Sequence, residues 1–443
     1  FVFWEIMAIS STLVLWSVDT NTAYKASMRY ILIHLFGGVV LMAGIVCLAA
    51  STGSIEFTAM QATSPATWLI LIGFLLNAGA PPLSGWLPDA YPEASYSGTV
   101  FLSAFTTKTA VYVLIRGFPG EEVLIFIGLY MIFYGIIYAL LENDMRRILA
   151  YSIVNQVGFM ITGIGIGTDM ALNGAAAHAF THIIYKALLL MSAGSVLYAT
   201  GKRKCTDLGG LFRTMPLTMV CGVIGALSIS SFPLTSGFIS KSMISQAAAD
   251  GHMLIVWMFL SAASAGVFLH AGIKFPWFVF FQKDSGLRPP EPPKNMRAAM
   301  VIMATLCIAL GILPEYLYAI LPYPVNYVPY TADHVLKMLQ LLLFSGLAFF
   351  ILLPMMKRTM TISLDFDWFY RYAGTKLNDF FVKIFSYATI KMNNFIVLQL
   401  SVFKDVILRH FGSDGAVTRT TSVGDMVQWV AILLSIYLVI YFL

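Results

Sequence analysis

About twelve runs of mostly apolar residues, most of them near the twenty residues that an α-helix needs to cross a bilayer, dominate this chain. They lie near 1–17, 29–51, 67–88, 97–117, 121–141, 147–166, 173–199, 215–248, 253–281, 298–321, 337–356 and 425–443. A length of 443 residues would admit two or three soluble domains. Charge decides against that: only 11% of the residues are Asp, Glu, Lys or Arg, too few to clothe a water-facing surface of that size. A membrane β-barrel would show ten-residue segments of alternating polarity. These runs are longer and apolar all round, so the expected fold is all-α, a polytopic transmembrane helix bundle.

The loops give the bundle a direction. Positive charge appears at Lys25 and Arg29, at Arg146 and Arg147, and at Lys202, Arg203, Lys204 and Arg213. It returns at Lys283, Arg288, Lys294 and Arg297, then at Lys357 and Arg358. Loops near 52–66, 167–172, 249–252 and 321–336 carry no Lys or Arg. With twelve crossings the basic loops share one side, which the positive-inside rule makes cytoplasmic. Loop 89–96 falls on that side with acids only. The net charge of +5 therefore reads as membrane orientation and implies no nucleic-acid partner.

Two runs are interrupted, by Ala80-Pro-Pro-Leu-Ser-Gly-Trp86 and by Ser231-Phe-Pro-Leu-Thr-Ser-Gly-Phe238. Proline and glycine inside a membrane helix free backbone groups that a neighbour or water must satisfy. Paired broken helices in two halves of a chain point to a transport pathway built on two inverted repeats. A kink that only aids packing is the plainer reading.

Residues 357–424 mix charges with aromatic and aliphatic residues, too polar to span and too apolar for disorder. An amphipathic lateral segment fits, followed by a terminal anchor at 425–443. The core is 1–356, and because Phe1-Val-Phe-Trp-Glu5 already lies inside an apolar run, further helices are expected upstream. Four cysteines form no CxxC pair, so neither a disulfide framework nor a metal cluster is indicated, and no cofactor is expected.

A charge at the bilayer centre costs several kcal/mol, so each one needs a partner, water or a function. Glu5, Lys108, His178, His182, Lys186 and Lys241 all sit inside apolar runs. His178, His182 and Lys186 recur at i, i+4 and i+8, which stacks them on one helix face. Imidazole titrates near neutral pH, so such a stripe can relay protons. The alternatives are structural: an interhelical hydrogen bond for His178, snorkelling for Lys186, ion pairs for Lys108 and Lys241, and a partner for a buried Lys or Trp at Glu5. Paired histidines also suit zinc, but no third ligand stands nearby, so no metal site is expected.

Six motifs in order resemble one family. Phe3-Trp4-Glu5-Ile6-Met7 is similar to its glutamate helix, Gly85-Trp-Leu-Pro-Asp-Ala-Tyr-Pro-Glu-Ala94 to its WLPDA loop, and Lys108-Thr-Ala-Val-Tyr-Val-Leu-Ile-Arg116 to its lysine helix. Asp144-Met-Arg-Arg-Ile-Leu-Ala-Tyr-Ser152 with Gly158, His182 to Gly194, and Pro233 to Lys241 complete the set. The family is that of the antiporter-like subunits of respiratory complex I, membrane-bound hydrogenases and Mrp-type multisubunit sodium/proton antiporters. The Lys108–Gly120 stretch looks closest to the Mrp-type D subunits.

The resemblance implies a proton path along a midplane axis, with Glu5, Lys108, Lys186 and Lys241 taking the family's places and Lys241 nearest the exit. It implies coupled titration of those sites. It also implies residence in a prokaryotic cell (inner) membrane, other membrane subunits as partners, protons as the conducted ion, and sodium as a candidate second ion. The lateral segment would brace neighbouring subunits. One departure stands out: the lysine usual in the first broken helix is Asn77 here, and the polar residue often seen before Gly-Trp is Ser84. Asparagine cannot carry charge. Either Lys108 serves Glu5 instead, or this half-site conducts differently or not at all. Three roles follow: a proton-conducting subunit of a cation/proton antiporter, a pumping module of a redox complex, or a bracing subunit with vestigial charges.

Overall fold

The computed structural model describes residues 1–442 apart from 356–364, 366, 413–414, 416 and 419–420. The expected basic pair Lys357 and Arg358 lies outside them. Among the described residues every regular element is a helix. In chain order these are α1 (Val2–Trp16), α2 (Asn21–Thr52), α3 (Pro65–Ala78), α4 (Trp86–Ala90), α5 (Gly98–Gly117), α6 (Val123–Leu141), α7 (Met145–Ile166) and α8 (Asp169–Thr200). Then follow α9 (Pro216–Ile229), α10 (Ser236–Asp250), α11 (Leu254–Val267, prolonged by wider turns to Phe281), α12 (Lys294–Ile312), α13 (Pro314–Tyr318), α14 (Ala332–Leu352), α15 (Asp367–Phe411) and α16 (Val423–Phe442).

Among the described residues nine helices are long and apolar enough to cross a membrane, and α1, α3 and α9 are shorter apolar helices. Nine and three account for the twelve runs. The run 67–88 is α3 and α4 around a break, and the run 215–248 is α9 and α10 around another. Ends are set by local chemistry. The Thr20 hydroxyl accepts from the Ala23 amide to start α2, and the Asp144 carboxylate accepts from the Arg146 and Arg147 amides to start α7.

Helix α7 lies at the centre, buried along its whole length between α5, α6, α8 and α10. Its polar residues Ser152, Asn155, Gln156 and Thr162 face protein on all sides. Small residues let it approach α6 closely: Gly128 and Gly135 of α6 lie against the backbone of Gly158 and Asn155.

The loops meet as their charge predicts. Arg29 pairs with Asp89 at 2.7 Å, and Arg203 pairs with both Glu93 (2.8 Å) and Asp144 (2.6 Å). Arg213 lies 3.5 Å from Asp284. The acids of loop 89–96 are thus the counter-charges of its basic neighbours, which explains the exception to the positive-side pattern.

The described chain divides into two compact units, Phe1–Asp367 and Trp368–Leu443. The first closes on Asp365, whose buried carboxylate accepts hydrogen bonds from Tyr134 and Tyr151. The second contains nearly all of α15, a helix of 45 residues and therefore about 67 Å long, and α16; apart from half-buried Arg371, the side chains described there are exposed.

Candidate functional site

The second break creates the best-defined part of the site. Helix α9 stops at Ile229, Ser231 and Leu234 adopt positive φ (61° and 69°), and α10 starts at Ser236. Gly237 lies so close to the Ser228 carbonyl that a Cβ there would collide with it. The last carbonyls of α9 lack partners within their own helix. One of them, Ile229 O, accepts a 2.8 Å hydrogen bond from Lys241 Nζ. The same ammonium lies 4.7 Å from the centroid of the Phe159 ring. Lys241 also lines a cavity of about 1280 Å³ with Asp169, Asn173, Asp250, Tyr327 and Asp333. Three of the loops that carry no Lys or Arg supply much of its wall.

Helix α8 carries the stripe. His178, His182 and Lys186 are all fully buried. His178 bridges three helices: Nε2 lies 3.1 Å from Gln156 Oε1 on α7, and Nδ1 lies 3.0 Å from Ser240 Oγ on α10. The Tyr185 hydroxyl donates to the same Gln156 oxygen at 3.1 Å. Because an amide oxygen only accepts, Nε2 is assigned as the N–H of His178. His182 differs: among the described residues neither of its ring nitrogens has a hydrogen-bond partner. Lys186 Nζ donates to Ser152 Oγ. Lys108, on α5, donates to Ser103 O (2.8 Å) and Thr107 Oγ1 (3.2 Å).

The fold brings these groups together. Lys108, Lys186, Lys241 and His178 all lie within electrostatic reach of His182. Among the described residues no ion pair joins any of the three lysines to a carboxylate; they are held by carbonyls and hydroxyls and, for Lys241, by the Phe159 ring as well. In their charged forms these groups repel one another.

Glu5 is set apart. Its carboxylate packs on Gly38 of α2, its Oε1 has no partner among the described residues, and no ion pair links it to Lys108. Asn77 adjoins the next residue, Gly37, and both atoms of its amide lack partners among the described residues. Ser84 is buried, and its hydroxyl likewise has no partner among them. One turn away on α2 stands His34, with Nδ1 2.9 Å from Tyr30 O and its ring stacked on Tyr30 at 3.9 Å. Trp86 meets that ring edge-on at 4.5 Å, and its indole N–H donates to Leu76 O at 3.2 Å, capping the freed end of α3.

Three further buried titratable residues, His34, His270 and Lys274, were not among the sequence candidates. Each is an ionisable residue inside an apolar run, which is the signal that could have found them. His270 and Lys274 even repeat the i, i+4 spacing of His182 and Lys186.

Residues 1–266 match a family described as NADH:quinone oxidoreductase/Mrp antiporter, TM. A probable K(+)/H(+) antiporter protein of Rhizobium meliloti, its A/B subunit, is 30% identical over 339 residues, which is 71% of this chain and 34% of that protein. The D subunit of the Na(+)/H(+) antiporter of Alkalihalophilus pseudofirmus is 28% identical, over 72% of this chain and 69% of its own length. This chain spans from a third to about half the length of the first curated relatives it matches. In fold it resembles a chain of a membrane-bound sulfane sulfur reductase, an archaeal respiratory membrane complex. The TM-score is 0.67 at 24% identity, over 98% of this chain and 79% of the other.

Proposed function

The chain belongs to the NADH:quinone oxidoreductase/Mrp antiporter membrane family, and on that footing we propose that it is a proton-conducting subunit of a multisubunit monovalent cation/proton antiporter in a prokaryotic cell membrane. Protons move along Lys108, His182, Lys186 and Lys241 at mid-depth. Lys241 releases them into the cavity edged by Asp169, Asp250 and Asp333. His178 orders the path by tying α7, α8 and α10 together. Glu5 and Asn77 form the opposite end of the axis, with sodium as a candidate exchanged ion. The core 1–356 conducts; the segment 357–424 braces a neighbouring subunit, and 425–443 anchors it.

The observation that supports this most is the burial of three lysines around one imidazole that has no partner among the described residues, without a carboxylate among them. A structural lysine in a membrane interior is held by an ion pair or by backbone carbonyls, so the gathering of three lysines and an imidazole, and not the lack of ion pairs alone, supports conduction. The hydrogen-bond partners of the three lysines accept from either the ammonium or the neutral amine, so a proton can leave without breaking those bonds.

A second reading is a proton-pumping module of a redox-driven respiratory complex. Its support is the fold, since the likeness to the archaeal respiratory chain runs over 98% of these residues. Proton and sodium flux in inverted vesicles carrying the whole complex tests both readings. Loss of transport in an assembled Lys186→Ala or Lys241→Ala complex supports conduction. Dependence of that transport on an electron donor selects the redox module. Normal transport in both variants leaves bracing as the function.

A further inference from the structure

We propose that His270 and Lys274 form a second proton branch, joining the lysine group to the side of the basic loops. The inference rests on the conducting role proposed above.

Helix α11 does not continue as a regular helix. From Phe268 to Lys274 and again from Trp277 to Phe281 its turns widen to the i→i+5 pattern. Pro276, between the two stretches, has no N–H to give to the preceding turn. Wide turns of this kind concentrate at functional positions because they re-aim side chains out of helical register. Here the first stretch packs against α6, α7, α9 and α14. Gly272 lies directly on the Ser230 hydroxyl, next to Ile229, whose carbonyl holds Lys241.

Two buried bases result, one turn apart on one face. His270 is fully buried, and among the described residues neither ring nitrogen has a hydrogen-bond partner. Lys186, Lys241 and Lys274 lie within electrostatic reach of it. Lys274 Nζ donates to Ala139 O (3.0 Å), Leu140 O (2.6 Å) and Glu142 O (2.6 Å), the open carbonyls that end α6. A helix C-terminus attracts a cation, so the ammonium is well placed there. Besides His270, the charged and titratable groups around Lys274 are Glu142 and Cys205.

The direction of the branch follows from its ends. Glu142 pairs with Arg147 at 3.0 Å in the loop where positive charge gathers. Lys241, at the other end, lines the cavity of the loops that lack Lys and Arg. A proton taken up at Lys274 passes from its ammonium to one ring nitrogen of His270. The other ring nitrogen then releases a proton to the neutral amine of Lys186 or Lys241. Each step moves one proton between bases, with no change of oxidation state and no other reactant.

The test is proton flux in inverted vesicles bearing the whole complex, with His270→Gln, His270→Phe, Lys274→Met and Lys274→Arg compared with Lys241→Ala. Gln keeps a polar group but cannot titrate near neutral pH, and Arg keeps a cation for the α6 carbonyls but cannot release its proton. The branch predicts at least about a tenfold loss of flux in His270→Gln and Lys274→Arg, with assembly intact. It also predicts that the pH profile of the residual flux shifts. Wild-type flux in either of these two variants, while Lys241→Ala is inactive, overturns the branch and leaves the conducting role standing. Wild-type flux in all the variants, Lys241→Ala included, overturns the conducting role itself. If Lys274→Met and His270→Phe fail to assemble, the Arg and Gln variants still decide.

Discussion

Lys241 Nζ donates a 2.8 Å hydrogen bond to the carbonyl oxygen of Ile229, twelve residues back across the break between α9 and α10. The first break is closed differently: the indole N–H of Trp86 donates 3.2 Å to Leu76 O. Each carbonyl lies where a membrane helix stops inside the protein: Ile229 O takes Lys241, while Leu76 O takes Trp86 in addition to the Gly79 amide. Only one of the two side-chain donors is a group that can lose its proton. The two breaks look alike in sequence, but only at the second does a lysine meet a carbonyl at the helix end.

Replacing Lys241 separates these roles. Lys241→Ala leaves Ile229 O without its donor and removes a base; Lys241→Arg restores the donor alone. Transport is expected to be lost in both, while thermal stability in detergent falls in the alanine variant and largely recovers in the arginine variant. Transport that recovers with arginine means that Lys241 only caps α9.

The two histidines of α8 are expected to differ. His178→Ala removes two buried hydrogen bonds, to Gln156 and Ser240, although Gln156 keeps Tyr185 and Ser240 keeps Thr181, and should cost about 1–3 kcal/mol of stability. His182→Phe breaks no hydrogen bond to a described residue, so it should assemble normally yet slow proton flux. Paired denaturation and flux measurements on the two variants check this; the reverse pattern would exchange their roles.

Asn77→Lys should create the cation that Glu5 lacks. A double-mutant cycle with Glu5→Gln measures it, since only facing residues couple. A coupling of about 1 kcal/mol or more in stability, with altered flux, is expected. No coupling means that the two residues, although both lie at the Gly37–Gly38 step of α2, do not face each other.

Gly237→Ala should damage the break itself. The new Cβ collides with the Ser228 carbonyl, and overpacking of this kind costs about 1–3 kcal/mol. The expected signature is a lowered denaturation midpoint together with lost flux. An unchanged midpoint would show that α9 and α10 separate easily at this point.

In the loop before α12, outside the spanning helices, Asp284 accepts from Arg288 at 2.6 Å and 2.8 Å and from the Gly286 amide at 2.9 Å. The Arg288 hydrogen bonds, then that amide, hold its carboxyl well below the usual carboxylate range. A lowered folded value means that the tie is fully present above the ordinary aspartate value near about pH 4 and is lost only as pH falls further. A carboxyl 13C titration should therefore show Asp284 still ionised at about pH 4, and Arg288→Ala should move it up toward the ordinary range, with the Gly286 amide and Arg213 still lowering it.

Much of this was legible in the chain. The apolar runs place the helices because a bilayer offers backbone groups no hydrogen bonds, so length and hydropathy nearly dictate what spans. The i, i+4, i+8 spacing puts His178, His182 and Lys186 on one face before any tertiary contact exists. His270 and Lys274 were equally visible inside the run 253–281, but a lysine near the end of an apolar run looks in sequence like one that reaches the interface.

Hydropathy, charge and helical period within each segment settle the class of fold, the two interruptions and most of the ionisable groups within the apolar runs. Which of those groups meet is a matter of tertiary packing. The folded chain brings Lys108, Lys186 and Lys241 within electrostatic reach of His182, occupies both nitrogens of His178, and leaves Glu5 on Gly38 with no ion pair to Lys108. The reason is physical. Hydropathy and helical period act within one segment, whereas the partner of a buried base is chosen by packing between helices far apart in the chain. There a glycine such as Gly237, or a wide turn such as 268–274, moves a side chain by ångströms that no local rule records.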